Sequence, residues 1–225
     1  MMRFSIGNIP VTVHAPFFFM ALLLGAQGSF NVPRALAWIV VVFLSVLAHE
    51  LGHAFSGIAF GLTPRIDLHG MGGTTSWAHK NVGTVKRILI SVAGPLVGIV
   101  IGGGLYLAAP FVVPSGLPPL AREILGTIIY VNLVWGVLNL LPMLPLDGGN
   151  ALAAALAHFK GAAGMRIAHY VSVVVAVTIG LYVIATDPSD WWALLLLGLF
   201  AFQNVRALLP QSNDGGGPPR APQQW

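Results

Sequence analysis

Two histidines and a glutamate stand at metal-binding spacing inside an apolar part of this chain. Residues 47–55 read LAHELGHAF, and the eight residues before them, Ile39–Val46, are apolar except for one serine. Side chains four residues apart share one face of a helix, with Cβ atoms about 5–6 Å apart. His49 and His53 can therefore bind one metal ion, for which zinc is the usual choice. Glu50 lies about 100° further round the helix, where it can take a proton from metal-bound water instead of binding the metal.

A carboxylate at this position needs an explanation, because the surrounding segment is long enough to lie in a membrane. A charged side chain at the centre of a bilayer costs about 2.5–3.5 kcal/mol even on insertion scales. Ordinary polar residues at a helix end would not account for that cost at Glu50. A proton or ion relay, or the relic of a former site, remains as an alternative to a metal centre. The pairing of ligand spacing with a base favours the metal centre.

The composition is that of an integral membrane protein. Of the 225 residues, 56 % are hydrophobic and only 8 % are charged, which is too little polar surface to cover a water-soluble core. A spanning helix needs about 20 apolar residues, and six segments approach this: 4–33, 35–60, 88–109, 124–144, 167–185 and 191–205. We predict an all-α membrane protein with about six transmembrane helices. The first is the least complete, because its apolar centre spans only residues 15–25. No cysteine is present, so disulfides and thiolate metal sites are excluded.

The basic residues predict which side of the membrane each loop faces. If the segments alternate, nine of the eleven Lys and Arg residues fall on one side, and only Arg34 and Arg122 fall on the other. Positive residues concentrate in cytoplasmic loops, so the N-terminus, the loop after the second segment and the C-terminus are expected in the cytoplasm of a prokaryotic cell. The bases are scattered, which does not indicate a nucleic-acid partner. We expect residues 1–209 to form a multi-pass membrane domain and the Gly/Pro-rich residues 210–225 to form a disordered tail.

The loop after the second segment is not helical in character. It reads LTPRIDLHGMGGTTSW, with one proline and three glycines that break helices and with apolar and polar residues that alternate loosely. We predict that Arg65–Trp77 forms a short β-hairpin against the cytoplasmic face of the membrane.

A hydrolytic zinc site needs a third protein ligand and an open position for water. Asp147 is the best placed candidate, because it follows the fourth apolar segment, which runs in the same direction as the second, so their depths can match. Asp-Gly-Gly is also a common turn sequence, and spacing alone leaves the third ligand open. The candidates on the cytoplasmic side are His14, Asp67, His69, His79, Asp147, His158 and His169.

Two motifs together resemble the site-2 protease family of intramembrane zinc metalloproteases. That family has the signature HExxH plus NxxPxxxLDGG, and this chain carries HELGH from His49 and NLLPMLPLDGG at 139–149. The segment Ser91–Pro95, SVAGP, is similar to the AGP segment of the same family. No segment resembles a PDZ-type or CBS domain, so the chain is expected to be a minimal member.

The resemblance implies a role for each matching residue. His49, His53 and Asp147 would bind one zinc ion per chain, and Glu50 would be the general base. Asn139 would help to hold the substrate or the reacting carbonyl. The hairpin would present an edge to an extended substrate.

The function expected from the residues and the resemblance is intramembrane proteolysis. The substrates would be membrane-anchored proteins, cut in or near a transmembrane segment in a regulated pathway. A metal or proton transporter is one alternative, but it should show polar residues along a whole pathway, whereas here they cluster at one depth. An inactive scaffold of the same fold is another, but it would be expected to have lost Glu50 or a ligand.

Overall fold

The computed structural model describes residues 1–25, 31–77, 82–114 and 116–209. The predicted tail, 210–225, lies outside the described residues. The described residues divide into two compact units, one lying within residues 1–77 and 92–138 and the other within residues 82–91 and 139–209. The elements in chain order are β1 (Met2–Ile6), β2 (Ile9–Val13), α1 (Ala15–Gly25), α2 (Val32–Ala59), β3 (Pro64–His69), β4 (Gly72–Trp77), α3 (Thr84–Val112), α4 (Pro119–Asn139), α5 (Asp147–Thr186) and α6 (Trp191–Leu208).

Five of these helices, α2 to α6, are long and apolar enough to cross a membrane within the described ranges. Helix α1 has 11 residues and is therefore about 16 Å long, which is short of a hydrocarbon core of about 30 Å. The prediction of a polytopic helical membrane protein is confirmed, and its least complete segment, the first, is the one that does not reach spanning length. Helix α5 is broken at Gly161, whose backbone angles (φ 55°, ψ −133°) are not helical.

A four-stranded sheet, in the order β1-β2-β3-β4, belongs to the first unit. The predicted hairpin is confirmed as β3 paired antiparallel to β4. Strands β1 and β2, which form a second hairpin, and the parallel pairing of β2 with β3 were not predicted from the sequence. Alternate residues of the two inner strands are buried and form one core with Phe17 of α1 and Val41 of α2. These strand residues are Ile9, Val11, Val13, Ile66 and Leu68.

Helices α2 and α4 run in the same direction, as the sequence analysis assumed. Arg34 Nε lies 3.0 Å from Glu123 Oε2 near the start of both helices. Further along, Asn132 Nδ2 donates to Ser45 Oγ over 2.8 Å. The α4 residue follows its α2 partner by 89 positions in the first contact (123 − 34) and by 87 in the second (132 − 45). Both helices rise by about 1.5 Å per residue. The same offset therefore places the start of the HELGH motif level with a residue about three positions before the end of α4.

Candidate metal centre

Helix α2 presents the predicted metal ligands as a close pair. The Nε2 atoms of His49 and His53 are 3.1 Å apart, and the two rings meet edge to face at 80°. Glu50 and His53 are buried, with 4 % and 7 % of their surfaces exposed. One ligand atom from each of His49, Glu50 and His53 lies within 4.8 Å of the others, which makes them the one such group of three found in the described ranges.

The spacing of the two nitrogens fits a zinc ion. Zn–N distances of about 2.0–2.1 Å with a tetrahedral angle at the metal place two ligand nitrogens roughly 3.3 Å apart. The observed 3.1 Å is close to that value. Two imidazole nitrogens and a carboxylate beside them are ligand types that zinc accepts. The residues present therefore suit the metal that their spacing predicted.

Helix α3 approaches α2 through glycines at the level of His53. A Cβ atom on Gly52 would lie 2.8 Å from the carbonyl oxygen of Ala93, and a Cβ atom on Gly94 would overlap the His53 ring. Hydrogen in place of a side chain at both positions lets the α3 backbone lie directly against the imidazole. The segment around Gly94 resembles the family's AGP segment, and in the structure it packs directly behind the His53 ring.

Strand β4 covers the other polar group of the motif. Thr75 Oγ1 donates to Glu50 Oε2 over 2.7 Å, and it also lies 3.1 Å from the main-chain oxygen of Glu50. A Cβ atom on Gly73 would lie 2.5 Å from Cγ and Oε1 of the same glutamate. The β3–β4 hairpin was predicted from the sequence but the roles of Gly73 and Thr75 were not, because only their alternation along β4 indicates that they share a face.

Asp147 and Asn139 both belong to the second unit. Asp147 is the first residue of α5, and its Oδ2 atom is buried. Asn139 is the last residue of α4 and is half-buried. The structure thus brings His49, Glu50 and His53 together in the first unit, while the ligand role of Asp147 and the substrate role of Asn139 remain predictions.

Buried polar side chains of α5 and α6 hold the loop that leads to Asp147. The main-chain N–H of Leu144 donates to Ser172 Oγ over 2.9 Å, and its carbonyl accepts from Asn204 Nδ2 over 2.8 Å. His169 Nδ1 lies 2.8 Å from Asn204 Oδ1 on the other side of that amide. Ser172 and Asn204 are 0 % and 2 % exposed. Main-chain groups that would be costly to bury alone are therefore satisfied on both sides of the loop.

The other candidate ligands have different partners. His14 Nε2 lies 3.7 Å from Asp67 Oδ1 in a half-exposed pair. The ring nitrogens of His69 and His158 lie 2.9 Å from Thr74 Oγ1 and 3.3 Å from Thr84 Oγ1, respectively. His79 lies outside the described residues.

Comparison with known proteins agrees with this site. Residues 119–183 match the profile of the family described as Peptidase family M50. A putative zinc metalloprotease of Synechocystis is 32 % identical over 175 residues, which cover 74 % of this chain and 45 % of the relative. A zinc metalloprotease of Methanocaldococcus jannaschii is 31 % identical over 162 residues, 70 % of this chain and 46 % of the relative. The chain thus spans about half of the length of the relatives it matches.

A solved structure has the same fold. The site-2 protease from Methanocaldococcus jannaschii aligns with a TM-score of 0.62 and 24 % identity, over 96 % of this chain and 99 % of that one. At that identity the structural likeness shows the fold alone, whereas the matches in sequence indicate common descent. Together they show that the chain is an integral membrane protein that is similar to members of peptidase family M50 and has the fold of a site-2 protease.

Proposed function

We propose that this chain is an intramembrane zinc metalloprotease that hydrolyses peptide bonds in or near transmembrane segments of membrane-anchored proteins, in regulated proteolysis. The observation that carries the proposal is the convergence of two imidazole nitrogens at 3.1 Å beside a buried carboxylate, within a helix of spanning length. The relatives named as zinc metalloproteases support the metal and the reaction. The excess of basic residues on one side supports an active site toward the cytoplasm.

Asp147 is the proposed third ligand. It stands in the LDGG segment that resembles the family motif, and α4 reaches the level of the HELGH motif shortly before that segment begins. Asp147→Ala should therefore reduce bound zinc well below one ion per chain, as His49→Ala and His53→Ala should. If Asp147→Ala keeps its zinc and its activity, the third ligand is another residue, with Asp67 or His69 the next choice.

Each of the proposed site residues has its own role in the reaction. His49, His53 and Asp147 would hold zinc, which supplies a Lewis acid that polarises the scissile carbonyl and lowers the pKa of water. Glu50 takes a proton from the attacking water and delivers it to the amine that leaves, so one water is consumed for each peptide bond broken. The Asn139 amide donates a hydrogen bond to the substrate.

A transmembrane substrate must open before it can be cut. Each peptide carbonyl of a helix is already hydrogen-bonded, and lipid offers the freed groups no partner. Strand β4 ends the described sheet, with β3 on one side only, so an extended substrate can pair with its outer edge. We expect good substrates to carry Gly, Pro or Asn near the scissile bond, because these residues weaken the helix there.

Conservative replacement of the base tests the function. The substrate would be a single-span reporter protein with Asn-Gly-Pro at the centre of its transmembrane segment, and a matched reporter with Leu at those positions. Wild-type protein should contain zinc and cleave the first reporter faster than the second. Glu50→Gln should keep its zinc while cleavage falls by about 10²–10⁴-fold. Glu123→Gln, the same change at an exposed carboxylate, should cleave normally.

Each failure has a distinct meaning. Equal activity of Glu50→Gln and wild type would refute the role of Glu50, and purified wild type that binds no zinc would refute the metal centre. Equal cleavage of the two reporters would refute the requirement for local helix opening. Metal or proton flux into liposomes that depends on Glu50, with neither reporter cut, would favour a transporter instead.

A further inference from the structure

We propose that strand β4 positions the general base, with the Thr75 hydroxyl holding one carboxylate oxygen of Glu50 and Gly73 keeping space for the other. The inference rests on the proposed function, since it assigns positioning residues to the catalytic carboxylate of that function. Neither residue belongs to the HELGH or LDGG motif.

The contact is short and directional. Thr75 Oγ1 lies 2.7 Å from Glu50 Oε2, which is the spacing of a strong hydroxyl-to-carboxylate hydrogen bond. The Thr75 hydroxyl donates and the carboxylate oxygen accepts. The hydroxyl also lies 3.1 Å from the main-chain oxygen of the same residue. Thr75 therefore contacts both the helix that carries the base and the base itself.

The strand contacts the helix through every second residue. Gly73, Thr75 and Trp77 share one face of β4 because side chains alternate along a strand. A Cβ atom on Gly57 would lie 3.0 Å from the Trp77 ring, so that ring covers the helix at Gly57. Trp77 thus fixes the strand on the helix at one end, and Thr75 and Gly73 meet Glu50 at the other.

Gly73 determines the space around the second oxygen. A side chain there would place its Cβ 2.5 Å from Glu50 Oε1, well inside the contact distance of about 3.5 Å for carbon. Glu50 is 4 % exposed, so its carboxylate has little room to move aside. With Oε2 engaged by the hydroxyl, Oε1 is the oxygen that receives and returns the proton. The orientation of this carboxylate is therefore set by residues 23 and 25 positions away in the sequence (73 − 50 and 75 − 50).

The placement links the base to substrate binding. The strand that holds Glu50 is also the one that ends the sheet of the described residues, where an extended substrate can pair with its outer edge. A substrate that pairs with β4 therefore docks on the element that orients the carboxylate.

The alternative is that Thr75 serves only as a hydrogen-bond donor to the main-chain oxygen of Glu50 in the helix. Thr75→Val separates the two readings, because it removes the hydroxyl and keeps the shape. If Thr75 positions the base, kcat should fall about 10- to 100-fold, the effect of a misplaced catalytic group, while KM, zinc content and melting temperature stay at wild-type values. Thr75→Ser, which restores the hydroxyl, should recover most of kcat. Thr12→Val, at a buried threonine of β2, is the matched control and should have wild-type kcat.

An infrared measurement gives a readout that does not depend on activity. The chain has only seven Asp and Glu residues, so the difference spectrum between Thr75→Val and wild type should isolate one shifted carboxylate stretching band. The same comparison in a Glu50→Gln background should show no shift. Gly73→Ala should also shift this band and lower kcat with zinc retained.

The outcomes separate the positioning role from the proposed function. Wild-type kcat in Thr75→Val, or no recovery in Thr75→Ser, would overturn the positioning role while an inactive Glu50→Gln leaves the protease intact. A fall in melting temperature or zinc content parallel to the fall in kcat would make Thr75 a structural residue only, and would also overturn the inference. An active Glu50→Gln enzyme would instead remove the proposed function on which the inference rests.

Discussion

Replacing Gly94 by alanine should damage the metal centre without weakening the helix that carries the change. Gly94 lies on α3, and a methyl group there would stand 2.6 Å from Cε1 and 2.8 Å from Cδ2 of the His53 ring. Ordinary carbon contacts are about 3.5–4.0 Å long, so the ring must move by about 1 Å. His53 is 7 % exposed, which leaves it little free space into which to move.

The size of the effect follows from the tolerance of a metal site. Zinc–ligand distances in proteins stay within about 0.2 Å of their preferred values, so a shift of about 1 Å takes the nitrogen out of bonding range. Loss of a residue that only orients a ligand costs about 10- to 100-fold in metal affinity. We expect Gly94→Ala to weaken zinc binding by at least that factor. Alanine favours a helix over glycine by about 0.5–1 kcal/mol, but forcing a methyl group into a well-packed site costs about 1–3 kcal/mol, so the metal-free protein should lose no more than about 2.5 kcal/mol of stability.

Competition with a chromophoric chelator measures this affinity on the purified protein in detergent. Gly104→Ala is the matched control, because it lies on the same helix and a Cβ atom there meets nothing within 4 Å. The control should bind zinc as wild type does. Wild-type zinc affinity in Gly94→Ala would refute the close packing of α3 on His53. An equal loss in both variants would assign the effect to the helix instead of the ligand.

Two further predictions concern the second unit and the topology. Asn204→Leu leaves the Leu144 carbonyl of the loop without its donor, which should cost about 1–3 kcal/mol of stability and lower the melting temperature. Gln203→Leu, at an exposed neighbouring residue, should leave the melting temperature unchanged. Equal melting temperatures of the two variants would show that the Asn204 amide does not hold the loop. For orientation, a cysteine at Gly116 should react with an impermeant thiol reagent in intact cells, and one at Ala162 should be protected. The reverse labelling pattern would invert the proposed orientation.

The local parts of this structure could be predicted from the sequence. His49 and His53 come together because a helix alone places residues four apart on one face. The β3–β4 hairpin followed from glycines between alternating residues. In each case the determining contacts lie within a few residues along the chain, so the sequence pattern contains them.

The parts of the structure that were not predicted depend on contacts between residues that are distant in the sequence. The hairpin of β1 and β2 was overlooked because its short apolar alternation runs directly into the apolar residues of α1, and its pairing with β3 spans more than fifty residues (66 − 11 = 55). The bond from Thr75 to Glu50 and the bond from Asn204 to Leu144 join residues 25 and 60 positions apart. The sequence pattern around a threonine or an asparagine does not indicate such a partner, because either side chain occurs in turns, in helix caps and in buried hydrogen-bond networks.

The ion pair near the start of α2 also bears on how the proposed reaction would obtain its water. If Arg34 marks one boundary of a hydrocarbon core about 30 Å thick, Glu50, sixteen residues further on, lies about 24 Å across it at 1.5 Å per residue. The base then stands about 6 Å from the opposite boundary, on the side of the hairpin loop. A path of that length holds only about two water molecules in single file, each roughly 3 Å across. The proposed hydrolysis uses one water per cut, so a short inlet on this side would be enough to replenish the site while the rest of the helix stays dry.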